Sequence, residues 1–155
     1  MLIKKTKSRI IFFQSLFLLL FRNLDPADLS FLLEIPLSFL DETFGNEKNK
    51  KFDQGLLDKL IKDFVDNCSF IYSLISENAN RWPFEEIPFV DRCALILGIT
   101  EVLYNKETPH KVAIDEAINI AKLFKGEEAN KLINGVLASV VKKYLVNDNA
   151  KYEEK

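Results

Sequence analysis

Residues 1–23 read MLIKKTKSRIIFFQSLFLLLFRN, with four basic residues among the first nine and then a run of phenylalanine, leucine and isoleucine. A basic start before an apolar run is how a secretory signal peptide begins; it is equally how a basic arm leads into a buried helix. In the first case these residues are removed, and in the second they supply the core. A signal peptide needs small residues at a cleavage site, whereas here Phe21 is followed by Arg22, Asn23, Leu24, Asp25 and Pro26. Gln14 and Ser15 interrupt the run, and Ile10 to Phe21 falls well short of the ~20 apolar residues that span a bilayer. The stretch therefore reads as a basic arm, residues 1–8, on a core helix. Ser8 is the predicted cap of that helix, which runs to about Asn23 and, being apolar on nearly all sides, is expected near the centre of the packing.

Working outward, helical spacing continues almost everywhere. Asp25 is placed to cap a helical segment with Pro26 in its first position. Ile35-Pro36 and Gly45-Asn46 bracket one or two short helices, and NEKNK (46–50) is a charged loop. From Phe52 to about Asn78 apolar residues recur three and four apart, predicting one long helix or two broken near Asn67. RWPFEEIPF (81–89) has room only for a helical turn, and Pro88 can start a helix over FVDRCALILGITEVLY (89–104). NKETPH (105–110) is a loop, KVAIDEAINIAKLF (111–124) an amphipathic helix ended by Gly126, and a last helix starts just after Gly126, with one apolar stripe from Ala129 to Tyr144. A domain over 9–147 with a frayed tail over 148–155 follows. The fold class is all-α, a bundle of about seven helices.

Composition agrees. Of 155 residues 48% are hydrophobic, enough for a core, while five glycines and five prolines are too few for the turns of an all-β fold. The net charge of −2 creates no global field, but Lys4, Lys5, Lys7, Arg9 and Arg22 are the only charged residues before Asp25. A local basic end of this kind can hold a polyanion. Cys68 and Cys93 lie in apolar helical patterns and read as small buried hydrophobes in a reducing compartment. With one histidine, His110, which reads as a solvated loop residue, no metal-ligand spacing exists.

Nothing in the chain requires catalysis. Asp115 and Glu116 are adjacent and point about 100° apart on a helix, so they cannot work as a carboxylate pair. Asp91-Arg92 reads as surface charge near a helix start. There is no glycine-rich phosphate loop and no nucleophile elbow. Glu127 and Glu128 occupy the first turn of the last helix, satisfy its dipole and repel phosphate, so nucleic acid there must be held by Lys125, Lys131 or a more distant cation.

Three segments carry a family resemblance: VDRCALILGITEVLY, PHKVAIDEAINIAKLF and GEEANKLINGVLASV. In order, spacing and loop length they resemble the NusB antitermination factors, and SRIIFFQSLF aligns with that family's basic start. The likeness spans nearly the whole chain and is weakest between Asn23 and Phe52. It implies an all-α domain of two small helical bundles packed together. It further implies a cytoplasmic protein without cofactor or catalysis, which binds the boxA segment of nascent ribosomal RNA together with NusE, a small-subunit ribosomal protein. The pair then works within the RNA polymerase antitermination complex, and no membrane is involved. Carried onto this chain, the resemblance places RNA binding on Lys4, Lys5, Lys7, Arg9, Asp91, Lys111, Glu128, Lys131 and Leu132, and partner binding on Phe17, Phe21 and Glu101.

Two departures bear on that implication. The start is KKTKSR where the family is usually arginine-rich, and lysine lacks the planar fork and stacking face of guanidinium. Leu132 stands where the family has an aromatic residue, and stacking on a base is worth ~1–3 kcal/mol. Leu132 also falls on the apolar stripe, and Asn134-Gly135 reads as a place of close helix packing. The alternative is a protein-interaction module, or a homodimer when free, that keeps the fold without significant RNA binding.

Overall fold

The computed structural model describes residues 2–33, 52–80, 82–126 and 130–145. The short helices expected between Pro36 and Gly45, the NEKNK loop, Glu127 to Ala129 and the tail fall outside the described residues. Among those described, all regular structure is helical: α1 (Leu2–Phe21), α2 (Leu29–Leu32), α3 (Gln54–Asn78), α4 (Phe89–Tyr104), α5 (His110–Lys125) and α6 (Asn130–Tyr144). Single 3₁₀ turns at Pro26–Asp28 and Phe84–Glu86 precede α2 and α4. No helix among the described residues is long and apolar enough to cross a membrane.

The chain forms two compact units, Met1–Cys68 and Ser69–Lys155. Their boundary falls inside α3, next to the break expected near Asn67. Asn67 has φ −124° and ψ 18°, outside helical range, and its side-chain amide donates to the Asp63 carbonyl at 2.8 Å. A side chain bonded to its own helix four residues back competes with the backbone ladder, which is why asparagine marks such bends.

In the first unit α1 begins at Leu2, a turn and a half before the expected cap at Ser8. Ser8 is buried and serves a different purpose. Its hydroxyl accepts the Asp53 N–H at 2.7 Å and donates to the carbonyls of Asp53 (2.7 Å) and Lys4 (3.2 Å). Asp53 in turn caps α3 by accepting the Leu56 N–H at 3.0 Å. One serine–aspartate junction thus ties the start of α1 to the start of α3. Behind it Ile11, Phe12, Phe13, Leu16 and Leu19 are buried with Leu29, Leu57, Leu60 and Phe64, and the Phe12 and Phe64 rings meet edge to face at 6.0 Å. Ser15, which interrupts the apolar run, is satisfied by donating to the Ile11 carbonyl at 2.8 Å. Asn23, at φ 51°, ends α1 in the left-handed conformation asparagine tolerates, with the Leu24 N–H turned back to the Leu19 carbonyl. Asp25 then caps the following turn by accepting the Ala27 N–H at 2.9 Å, as its sequence predicts.

In the second unit α4 has no solvent side: every residue from Asp91 to Val102 is buried. It packs against α5 and α6, which also pack against each other. Close approach is set by Gly98, where a Cβ would stand 2.8 Å from both methyls of Leu137 and 3.3 Å from the Ala117 Cβ. The expectation that Gly135 permits close packing is overturned, because Gly135 is exposed and a Cβ there would meet nothing within 4 Å. Gly126 (φ 84°) ends α5 as expected. Cys93 is buried, but Cys68 is only half-buried, so the expectation of two buried thiols holds for one. Burial pushes the Cys93 thiol far above the usual thiol range despite the opposing charge of Arg92, which makes it inert.

Leu16 has no exposed surface. Leu16→Asp would place an unpaired charge there, at a cost of several kcal/mol against a total stability of about 5–15 kcal/mol. The expected outcome is loss of the cooperative thermal transition in circular dichroism; a melting temperature equal to that of the unmodified protein would show that α1 is peripheral.

Candidate nucleic-acid interface

The basic end of the chain is helical. Lys4 is exposed, Lys5 and Lys7 are half-buried, and all three stand near the start of α1, whose first turn holds no acidic residue. The positive end of the helix dipole and the Lys4 and Lys5 ammonium groups therefore add. The fourth cation is elsewhere. Arg9 is 2% exposed, so it belongs to the interior and does not present its charge to a polyanion. Arg9 stands four residues after Lys5, on the same face of α1, and Lys5 is itself half-buried there.

A second charged group surrounds the start of α4. Asp91 and Arg92, expected as surface charge, are 4% and 8% exposed. The correction has a physical cause: α4 is enclosed, so even its first turn is covered. Asp91 accepts a hydrogen bond from Lys125 Nζ, at the end of α5, at 2.9 Å. Lys125 is thereby committed to a protein carboxylate and is not the free cation its sequence suggests. Arg92 lies over the Phe89 ring at 4.2 Å and the Phe84 ring at 5.3 Å, and Phe84 stacks on Tyr72 at 4.4 Å.

Lys111 and Lys131 are exposed near the starts of α5 and α6, and Leu132 is half-buried beside Lys131. Glu128 lies outside the described residues. His110, expected in the loop, is the half-buried first residue of α5 behind Pro109. Asn105 shapes the preceding loop, donating to Thr108 Oγ1 at 3.1 Å and accepting the Glu107 N–H at 3.2 Å.

Of the residues assigned to a partner, Phe21 is 65% exposed and stacks on half-buried Phe17 with ring centroids 6.1 Å apart. Phe31, which the family resemblance does not single out, is 76% exposed in the same unit. A signal for it exists in the sequence: Phe31 is two residues from buried Leu29 and so falls on another face of α2. Glu101 is 1% exposed and does not reach the surface. Among the described residues no group of three or more histidine, cysteine, aspartate or glutamate side chains could hold a metal ion. What these sites can do chemically is hold anions and apolar surface.

Known proteins share both the sequence pattern and the fold. Residues 6–142 match the NusB family model. The antitermination protein NusB of Bacillus mycoides is 43% identical over 101 residues, covering 65% of this chain and 72% of that protein, and the Bacillus thuringiensis protein is 42% identical over the same extent. The NusB structure from T. maritima superposes with a TM-score of 0.72 at 33% identity, covering 89% of this chain and 90% of that one. A chain from the crystal structure of a plectonemic RNA supercoil shares the fold, with a TM-score of 0.74 at 23% identity over 90% of this chain and 95% of the other. Helical fold and relatives together define the class, an all-α transcription antitermination protein. The chain belongs to the NusB family.

The Asp91–Lys125 pair yields a direct check on the charged group. Lys125→Met leaves a buried carboxylate without its donor, which costs about 1–3 kcal/mol. Urea denaturation should show a lower midpoint with an unchanged slope; an unshifted midpoint would mean that solvent supplies the missing partner.

Proposed function

We propose that this protein is an RNA-binding transcription antitermination factor that binds the boxA segment of nascent ribosomal RNA transcripts together with NusE and keeps RNA polymerase from terminating early. The observation that carries the reading is the match to the NusB family from residue 6 to residue 142, joined to a lysine-rich helix start with no acidic residue in its first turn. Lys4, Lys5 and Lys7 take phosphates, Lys111 and Lys131 add exposed charge at two further helix starts, and Leu132 gives a base an apolar neighbour without a stacking ring. Glu128, an acidic residue just before Lys131, limits affinity by repelling phosphate. Asp91 acts on RNA indirectly in this reading, through its hold on Lys125. The protein works in the cytoplasm within the antitermination complex, needs no cofactor and performs no catalysis.

NusE docks on the apolar surface that Phe17 and Phe21 present. The exposed rings of Phe21 and Phe31 favour a second reading, a protein-interaction module or a homodimer that does not depend on RNA. Fluorescence anisotropy with a boxA-containing single-stranded RNA, with and without NusE, separates the two: tighter binding with NusE present supports the first, and no RNA binding in either case supports the second.

The start of α1 is tested by replacing Lys4, Lys5 and Lys7 with glutamine while keeping the buried Arg9. Every phosphate of single-stranded RNA that these lysines no longer neutralise should flatten the logarithmic salt dependence by about 0.7, so up to ~2 in all. An unchanged slope would remove α1 from the interface.

A further inference from the structure

Arg92 is the fourth residue of α4, and nine-tenths of it is buried. Its Nε is buried and has no hydrogen-bond partner among the described residues. Its neighbour Asp91 is occupied by Lys125, so the nearest carboxylate in sequence is already neutralised. The guanidinium is held by ring faces instead, 4.2 Å from Phe89 and 5.3 Å from Phe84. Phe89 is the first residue of α4, so the cation sits at the positive end of the helix, a start that no side chain caps. A guanidinium and a helix start, both positive and neither met by an anion among the described residues, are placed together. A buried guanidinium nitrogen without an acceptor is costly, and a bound ligand is one way a folded protein supplies the acceptor.

We propose that Arg92, at the start of α4, is an anion site that takes a phosphodiester group of the bound RNA. Phe84 and Phe89 lie against the faces of the guanidinium, which leaves its edge, where the N–H groups point, to meet the phosphate. Stacking fixes the plane of the group before the ligand arrives, so little rotamer entropy is given up on binding. Glu85 and Glu86 on the preceding turn are exposed and make no hydrogen bond with Arg92, so their charge acts through solvent, where salt screens it. An arginine here offsets in part the lysine-only start of α1. The proposal rests on the RNA-binding reading above.

The test has two arms on the full chain. In the first, the affinity of boxA-containing single-stranded RNA is measured across salt concentrations for the unmodified protein, Arg92→Met and Arg92→Lys. Arg92→Met should weaken binding about three- to tenfold and flatten the salt slope by about 0.7, one phosphate, while Arg92→Lys should keep most of the slope. In the second, inorganic phosphate is titrated against the Arg92 Nε–Hε resonance with chloride as control, and phosphate should move it where chloride does not. If RNA binds and Arg92→Met leaves affinity and slope unchanged, the proposal is overturned, and a phosphate-dependent shift in that case would mark a site for small anions only. If the unmodified protein binds no RNA but the resonance still responds to phosphate, the RNA-binding reading fails and the anion site stands. A resonance indifferent to phosphate, with RNA affinity unaltered in both variants, makes the ring-stacked guanidinium a packing element. An equal drop in thermal stability in both variants without a change in salt slope would also count against it.

Discussion

The second unit depends on the enclosure of α4. Twelve consecutive residues of this helix, Asp91 to Val102, are hidden from solvent, which requires neighbours on every side. Only a residue without a side chain allows that closeness at Gly98, where the methyls of Leu137 occupy the space a Cβ would need. Enclosure also decides what happens to the charged residues at the head of the helix. Asp91 and Arg92 cannot stay in water, so each must find a partner of its own. Asp91 finds one in Lys125, and Arg92 finds the faces of Phe84 and Phe89. Packing of the apolar middle of α4 thereby fixes the electrostatics of its end.

In the first unit the equivalent constraint is polar. Ser8 and Asp53 are far apart in sequence, yet their hydroxyl and backbone groups bond at 2.7 Å, and Asp53 caps the helix that follows it. The start of α1 is thus anchored at one point, with Lys4 on the exposed surface beside it and Arg9 drawn into the interior. A short basic segment thus divides into surface charge and interior charge.

The helices are legible in the sequence because their signals are local. Asp25 before Pro26, Asn67 in a long apolar series, Pro88 before an apolar run and Gly126 after one are each determined by neighbours in sequence, and each lies where its chemistry places it. Misreadings share a different origin. Ser8 looks like a cap when only its own helix is considered; its partner is 45 residues away. Gly135, in the middle of a helix, looks like a packing site, but the face it occupies is open, whereas Gly98 sits where two other helices converge. Asp91, Arg92, Glu101 and Arg9 carry charge and so read as surface, and all four are buried. Local spacing identifies a helix, and only tertiary packing tells which of its charges meet water.

In the function proposed above, RNA phosphates are held at helix starts, at Lys4 to Lys7 on α1, at Arg92 on α4 and at Lys131 on α6. Chemical-shift mapping of the full chain on addition of boxA-containing single-stranded RNA in the presence of NusE tests it most directly. RNA-dependent shifts, relative to the protein with NusE alone, are expected to concentrate at residues 4–7, 89–92 and 131–132 and to spare the ring pair Phe17 and Phe21, which responds to NusE alone. Shifts confined to Phe17, Phe21 and Phe31, with those helix starts unmoved by RNA, would contradict it.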